Sequence, residues 1–534
     1  MPIPRTSPEA IHERRWQILG VLILSLLVVV LDTSILNVAL KTLAEPAPKG
    51  LGASQSQLEW ATNSYTLAFA GLLFTWGILG DRLGRKRILL GGMLAFGLSS
   101  VLCAFAASPD ELIAFRALMG ISGAAVLPST LSIISNVFDP AERAKAIGIW
   151  AGAVGLAIAI GPVTGGLLLA HFWWGSVFFV NVPIVAIAIA LMTRLVPDSR
   201  NPEPGRLDPV GVLLSIAGIS VIVFGIIRGG DVGWGAASAL APLAGGVALL
   251  GAFIAWERRF PSPILDIGLF RSRRFSGAVG IILLIFCGYM GLLFAVSFYF
   301  QAARDYTPLH TGALLLPLAA GQMIFASQSS RLIDRFGPRA LVSTGMALMV
   351  VTYLYYTQAG AHSPLLPLEL ILFLQGVAVG ITMPPVTTAV VASVPRQKAG
   401  AASAINNTSR QVGGALGVAV LGAIVSSAYR AGIRPHLTSV LGHHQHALDT
   451  ASSSIAATLS FAAHAGQVGH ALVAPAVASY IHAMHEAAIA AVAIGAIGVI
   501  VAATLLPRRA PAPAPAAAPP APAEALEPEP AVSR

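Results

Sequence analysis

The chain has 534 residues, of which 55% are hydrophobic and 11% charged, and its net charge is +9. Soluble domains carry roughly 25% charged residues, so an ordinary water-soluble protein is excluded. The cations fall mainly in short connections between apolar runs, where membrane topology accounts for them and nucleic acid is not an expected partner. A mean hydropathy of +0.76 and repeated apolar runs of about 20 residues point to an all-α polytopic membrane protein.

In chain order, residues 1–15 form a short N-terminal segment ending in Arg14-Arg15. The apolar run of about 25 residues that follows is too long for a signal-peptide core, and no small-residue cleavage site closes it. It reads as an uncleaved first span. Fourteen spans are expected near 16–40, 58–80, 88–107, 111–135, 144–168, 173–195, 208–228, 237–257, 275–300, 311–333, 340–358, 366–391, 399–428 and 480–506. An even number puts both termini on one side. With the N-terminus in the cytoplasm, about 25 Lys and Arg lie inside and about 6 outside, a strong orientation signal for the cytoplasmic membrane.

The loop between the second and third spans, Gly77-Ile-Leu-Gly-Asp81-Arg82-Leu-Gly84-Arg85-Lys86-Arg87, has a weaker copy about 253 residues later. That copy is Ser330-Arg-Leu-Ile-Asp334-Arg335-Phe-Gly337-Pro-Arg339. Phe115-Arg-Ala-Leu-Met-Gly120, Pro128 and Pro140-Ala-Glu-Arg-Ala-Lys-Ala recur at a matching offset near Gly376, Pro384 and Pro395-Arg-Gln-Lys-Ala. The chain therefore reads as two six-helix halves, 16–200 and 261–507, separated by an inserted helix pair in 201–260. The second half includes an outward loop, 429–479. A Pro/Ala-rich tail, 508–534, is expected to be cytoplasmic and disordered or polyproline-like.

With these motifs in place, the sequence resembles the fourteen-helix drug:proton antiporters of the major facilitator superfamily. Gly77 to Arg87 is similar to that superfamily's cytoplasmic loop signature, and Leu31-Asp32-Thr-Ser-Ile-Leu-Asn37-Val-Ala-Leu40 to the first-helix signature of its drug-antiporter branch. Arg116-Ala-Leu-Met-Gly120 resembles the fourth-helix arginine motif. Gly161-Pro162-Val-Thr-Gly165-Gly166 resembles the fifth-helix antiporter motif, and Asn181-Val-Pro183 and Asn407-Thr-Ser-Arg410-Gln-Val-Gly-Gly match at branch level. The resemblance spans residues 15–507. It implies the major facilitator fold and export driven by proton influx, with no bound cofactor; it does not give the substrate.

Asp32 reads as the only carboxylate deep within a span, whereas Glu59, Asp81, Glu111, Glu257, Glu369 and Glu486 sit at span ends where water is expected to reach them. A charged Asp at mid-membrane costs roughly 2.5–3.5 kcal/mol on insertion scales, which suits a site that alternately holds a proton or a cationic substrate. The plainer reading is a structural Asp hydrogen-bonded to Thr33, Asn37 or a neighbouring helix. Arg116 is the natural partner: Asp32 lies about 12 Å inside the outer end of its helix at 1.5 Å per residue, and Arg116 lies at comparable depth. Burial disfavours a carboxylate's charge and a nearby Arg favours it, so movement between the halves could switch which effect wins. Alternatively Arg116 only satisfies backbone carbonyls. The repeat puts Leu372 at the position of Arg116 and no acid at that of Asp32, confining the coupling to the first half.

The basic loops, Gly77, Asp81, Arg82, Gly84, Arg85 and Lys86 with Asp139, and Asp334, Arg335 and Gly337 in the copy, read either as a latch on the cytoplasmic side or as topology markers. Arg85 is expected to pair with Asp139 or Glu142. Gly161, Pro162, Gly165 and Gly166, with Gly413, Gly414 and Gly417 in the thirteenth span, read as packing seams between the halves. Trp60, Tyr65, Tyr289, Phe298 and Tyr299 are candidate substrate-cavity aromatics, against the commoner reading of interfacial anchors. Eight of the twelve histidines cluster near the outward loop: His436, His443, His444, His446, His464, His470, His482 and His485. No Cys, Asp or Glu cluster completes a metal site around them, so no metal is expected.

The reading is therefore proton-driven efflux of lipophilic neutral or monocationic drugs by alternating access. The tenth span offers only Gln322 where the resembled family's dication handlers carry an acid. Alternatives are a dedicated exporter of one host metabolite or antibiotic, or a non-transporting sensor. No enzyme constellation is present. The expected partners are the substrate, protons and the lipid bilayer; a monomer is expected, and a periplasmic adaptor is left open.

Overall fold

A computed structural model describes residues 8–200, 208–261, 265, 267–392, 399–442 and 444–507. The tail 508–534, His443 and the repeat segment Pro395 to Lys398 lie outside the described residues.

The described residues are helical almost throughout. The elements are α1 (Pro8–Ala44), α2 (Gln55–Leu83), α3 (Arg85–Ala104), α4 (Pro109–Gly123), α5 (Val126–Val137), α6 (Pro140–His171), α7 (Ser176–Phe179), α8 (Asn181–Leu195), α9 (Pro209–Val232) and α10 (Ala237–Glu257). There follow α11 (Arg273–Phe298), α12 (Pro308–Leu314), α13 (Leu316–Phe336), α14 (Pro338–Tyr356), α15 (Leu365–Ala392), α16 (Ala399–Leu441), α17 (Gln445–Ala451), α18 (Ile455–His464) and α19 (Gly466–Leu505). Among the described residues, eleven helical stretches are long and apolar enough to cross a membrane. Large apolar side chains face outward, including Leu213, Val247, Leu366 and Ile500, as a lipid-facing surface requires. This is a multi-pass membrane protein.

Local chemistry sets the helix ends that matter. Ser54 caps α2 in a reciprocal box with Gln57. Ser108 caps α4 with Pro109 in its first turn, and Thr307 caps α12 with Pro308 likewise. Gly84 and Gly337 end α2 and α13 at φ +110° and +79°, a region that favours glycine.

Packing repeats along the chain. α1 packs on α6 and α8, α2 on α4, and α3 on α4 and α8. In the same order, α11 packs on α16 and α19, α13 on α15, and α14 on α15 and α19. Contacts between these two sets run through α2 with α16, α6 with α12 and α13, and α1 with α11. The α9–α10 pair leans on α2 and α16, where Val223, Ile226 and Ile227 of α9 meet Leu67, Ala415, Ala419 and Ala423.

The stretch expected as the outward loop 429–479 is largely helical. α16 continues to Leu441 and α19 already starts at Gly466, leaving α17 and α18 as a small cap. Its anchor is the Tyr429 hydroxyl, which donates to Thr458 Oγ1 at 2.6 Å. The Ala-rich sequence favours helix on both sides, and Pro435 and Pro475 are accommodated inside helices rather than ending them.

Candidate functional site

Asp32 and Arg116 are brought together as a buried ion pair, each 1% exposed. Arg116 Nη1 donates to Asp32 Oδ2, and Arg116 Nε donates to the Ala61 carbonyl at 3.1 Å. The guanidinium lies over the Tyr65 ring, 4.4 Å from its centroid, with Phe178 at 5.9 Å. Asp32 Oδ1 accepts from Asn181 Nδ2 at 3.2 Å, and Asn181 also reaches Ser100 Oγ at 3.1 Å. Thr33 and Asn37 instead bond to carbonyls of their own helix. Each carboxylate oxygen of Asp32 thus has a donor, one of them cationic, which is what a buried anion needs.

The sequence holds this pair by close helix approach. A side chain at Gly120 would overlap the Tyr65 backbone, so glycine one turn beyond Arg116 lets α4 lie against α2. Tyr65, expected in a substrate cavity, is instead 1% exposed and serves the Arg116 face. Asn181 and Ser100 complete the site. Asn181 stands in a branch-level motif that assigns it no role, and nothing in the sequence around Ser100 singles it out.

A cavity of about 30 Å³, room for a water molecule, lies between the two packing sets. Ser34 and Asn37 of α1, Pro162 of α6, Tyr289 and Leu293 of α11, and Leu318 of α13 line it. Of the candidate aromatics only Tyr289 is among its lining residues. Phe298 is buried against Phe294 and Tyr480. Tyr299 opens a single π-turn, Tyr299–Ala303, and donates to the Gly360 carbonyl at 2.7 Å. Trp60 leans on Phe224 of α9, and Gln322 is half-buried where Gly376 and Gly380 bring α15 onto its backbone.

The fifth-helix motif divides its work. Side chains at Gly161 or Gly165 would collide with Ser34 or Ile35 of α1, whereas Gly166 and Pro162 meet Leu309 and Gly312 of α12. Only the second pair forms a seam between the sets. Gly413 and Gly417 correct the expectation for α16: they face Leu283 and Cys287 of α11, in the same set, because they repeat the Gly161–Gly165 contact. Polar contact between the sets comes from the π-turn and from Thr408, whose hydroxyl donates to the Ala70 carbonyl at 3.5 Å. Gln301 Nε2 donates to the Val38 carbonyl at 2.9 Å, and Lys41 Nζ donates to the Gln301 carbonyl at 2.7 Å.

Arg85 pairs with Asp81, 2.8 Å away, and not with Asp139 or Glu142 as expected. The α2–α3 break at Gly84 leaves Arg85 four residues on from Asp81, facing it. Glu142 takes Arg15 at 2.7 Å, and Asp139 lies 3.6 Å from His12, because α1 extends beyond the apolar run. Lys86 Nζ donates to the Thr193 carbonyl, the Arg85 amide donates to Ser199, and a side chain at Gly84 would crowd Asp198. A methyl group at Gly77 would come into ordinary contact with Pro128, and Arg82 is exposed. In the copy Pro338 replaces the Arg85 equivalent; Asp334 and Arg335 are exposed, the latter over the Phe336 ring.

Two acids expected at watery span ends are buried. Glu257 is 3% exposed and accepts from the Leu265 amide at 3.0 Å. Glu59 is 1% exposed beneath α16, whose Gly422 leaves room for its carboxyl. A position one turn into a helix is watery only if nothing covers it. Among the described residues no group of three His, Cys, Asp or Glu side chains could hold a metal ion.

A repeated helix scheme with a small cavity between its two sets and a buried ion pair in the first suits a membrane transporter. The sequence profile of the Major Facilitator Superfamily matches residues 22–418, and the chain belongs to that family, which is one of transporters and not enzymes. It is 38% identical to the multidrug efflux pump LfrA of Mycolicibacterium smegmatis over 79% of this chain and 82% of that protein. It is 33% identical to the tetracenomycin C resistance and export protein of Streptomyces glaucescens, over 80% of this chain and 78% of that one. In fold it is similar to a bacterial homologue of the human lysosomal transporter Spinster, with TM-score 0.65 at 20% identity, covering 94% of this chain and 99% of the other.

Proposed function

We propose that the protein is a proton-driven exporter of lipophilic neutral or monocationic drugs and toxic compounds, working by alternating access between two six-helix halves. The observation that carries this reading is the Asp32–Arg116 pair, a buried carboxylate held by a cation on a different helix. The drug-efflux names of the relatives support the substrate class. The recurring packing scheme supports the two halves, with α9 and α10 as the insertion. Adding α2, α6 and α14 to the eleven apolar stretches makes fourteen spans, with both termini cytoplasmic by the distribution of Lys and Arg.

Asp32 is not among the residues lining the central cavity, although Ser34 and Asn37 of the same helix are. In this reading the proton and the substrate act on different faces of α1. Separating Asp32 from Arg116 moves α1 against α4, and the Gly161 and Gly165 contacts carry the movement to α6. The named lining residues include no acid, which suits neutral or singly charged compounds. One proton crossing 100 mV gains about 2.3 kcal/mol, and one pH unit adds about 1.4. A neutral substrate can thus be concentrated several hundredfold by both terms. A monocation exchanged for one proton moves no net charge and gains only the pH term, about tenfold.

The test is proton movement in inside-out vesicles with an acidic lumen, for wild type and Asp32→Asn inserted to equal levels. Substrate-dependent proton release by wild type alone is expected. Equal release by Asp32→Asn overturns the coupling role. Export of a single metabolite is a second reading, favoured by the likeness to the tetracenomycin C protein; a panel in which one compound alone drives release would select it.

A further inference from the structure

Glu59 stands in the second turn of α2, and neither of its carboxylate oxygens has a hydrogen-bond partner among the described residues. Gln55 and Asn63, one turn to either side, are buried as well, and Gln55 Nε2 and both Asn63 amide atoms also lack partners. The i, i+4 spacing puts the three on one stripe of α2. Opposite, α16 carries Gly422, Ser426 and Arg430 at the same spacing. A side chain at Gly422 would occupy the Glu59 carboxyl's place, and the buried Ser426 hydroxyl is unpartnered.

The charged groups facing Glu59 are Asp231 of α9 and Arg430 of α16. They are committed to each other: Arg430 Nη2 donates to Asp231 Oδ1 at 2.8 Å and Nη1 to the Asp231 carbonyl at 2.7 Å. With Glu59 neutral this enclosure carries no net charge. With Glu59 ionised it would hold an excess anion whose one nearby side-chain donor is Gln55 of its own helix, and a buried charge so weakly compensated is costly. The enclosure lies where the two packing sets meet, on the side of Ala44, and the inserted α9 seals its flank against lipid.

We propose that Glu59 is a second proton-binding site, built into the α2–α16 seam, which closes only over the protonated carboxyl. On opening, the carboxyl meets water and releases its proton to it; on closing, the carboxylate takes one proton back from the same water. Low pH on the Ala44 side, extracytoplasmic in the proposed orientation, holds the seam shut, and rising pH opens it. The inserted helix pair contributes by supplying Asp231, which engages Nη1 and Nη2 of Arg430 and offsets its charge beside Glu59. This inference rests on the alternating-access reading above, but not on Asp32 as the coupling group.

The test uses the full chain in lipid nanodiscs, with Cys103 and Cys287 replaced and spin labels at Lys49→Cys and Ser439→Cys, both at exposed positions on that side. Pulsed electron resonance reads the distance between labels across a pH titration. In wild type the open-to-closed ratio is expected to rise with pH, by up to about tenfold per unit for one linked proton. Glu59→Gln is expected to stay closed at every pH, and Glu59→Asp to keep the response with a moved midpoint. A wild-type response in Glu59→Gln, or a distance in wild type that ignores pH, overturns the proposal. In either case substrate-driven proton release in vesicles still decides the export reading by itself.

Discussion

Asp32 and Glu59 are equally buried carboxyls in consecutive helices, α1 and α2, and they are treated in opposite ways. Asp32 accepts from Arg116 and Asn181, and its arginine is further fixed by the Ala61 carbonyl and the Tyr65 ring. Glu59 has no hydrogen bond of normal geometry among the described residues; only Gln55 and Arg430 favour its charge, and Arg430 is bound to Asp231. Burial alone therefore does not set the charge of a carboxyl. The donors around it do, and here they suit an anion at one site and an acid at the other.

The largest effect that could break this contrast is on stability. Removing one member of the buried pair, by Asp32→Asn or Arg116→Leu, leaves the other without its counter-charge and is expected to cost about 3–5 kcal/mol. The double variant should cost clearly less than the sum. Glu59→Gln, which only makes permanent a neutral side chain, is expected to lie within about 1 kcal/mol of wild type. Denaturant unfolding in mixed micelles measures all four, and a Glu59→Gln loss as large as that of Asp32→Asn would erase the distinction.

Smaller effects sharpen it. Asn181→Leu removes a hydrogen bond to a charged group and is expected to cost about 1.5–3 kcal/mol, with a matching fall in proton-coupled export. Gly422→Ala forces a methyl into the place of the Glu59 carboxyl, at about 1–3 kcal/mol. Glu59→Ala in the same chain should relieve most of that loss, which unfolding of the double variant would reveal. At the bottom of the scale, Arg85→Ala breaks a partly buried pair with Asp81 and is expected to cost about 1 kcal/mol. An export assay after Arg85→Ala separates a mechanical role for the loop from a topological one, since topology survives the loss of one of its cations.

Much of the scaffold was legible because membranes demand long apolar runs and short basic connections, and because the duplicated motifs carry their own register. The Asp32–Arg116 contact was legible for the same reason: two charges in apolar helices at equal depth have few alternatives to each other. Asn181 was harder, since its contact depends on how α8 follows the α7 turn. Glu59 reads as wet from its distance to the helix end because the sequence does not show its cover. The signal existed in the polar repeat Gln55, Glu59, Asn63 along one face of α2, matched by Gly422, Ser426, Arg430 on α16. Nothing in the sequence places the inserted pair against α2 and α16, which is why Trp60 read as a cavity residue rather than as a contact of Phe224.

Infrared difference spectroscopy of the carboxyl C=O stretch at neutral pH tests the opposed states of the two acids most directly. The expected result is a band from a buried protonated carboxyl that disappears in Glu59→Gln and persists in Asp32→Asn. A band that disappears in Asp32→Asn and persists in Glu59→Gln would contradict it, by making Asp32 the acid and Glu59 the anion.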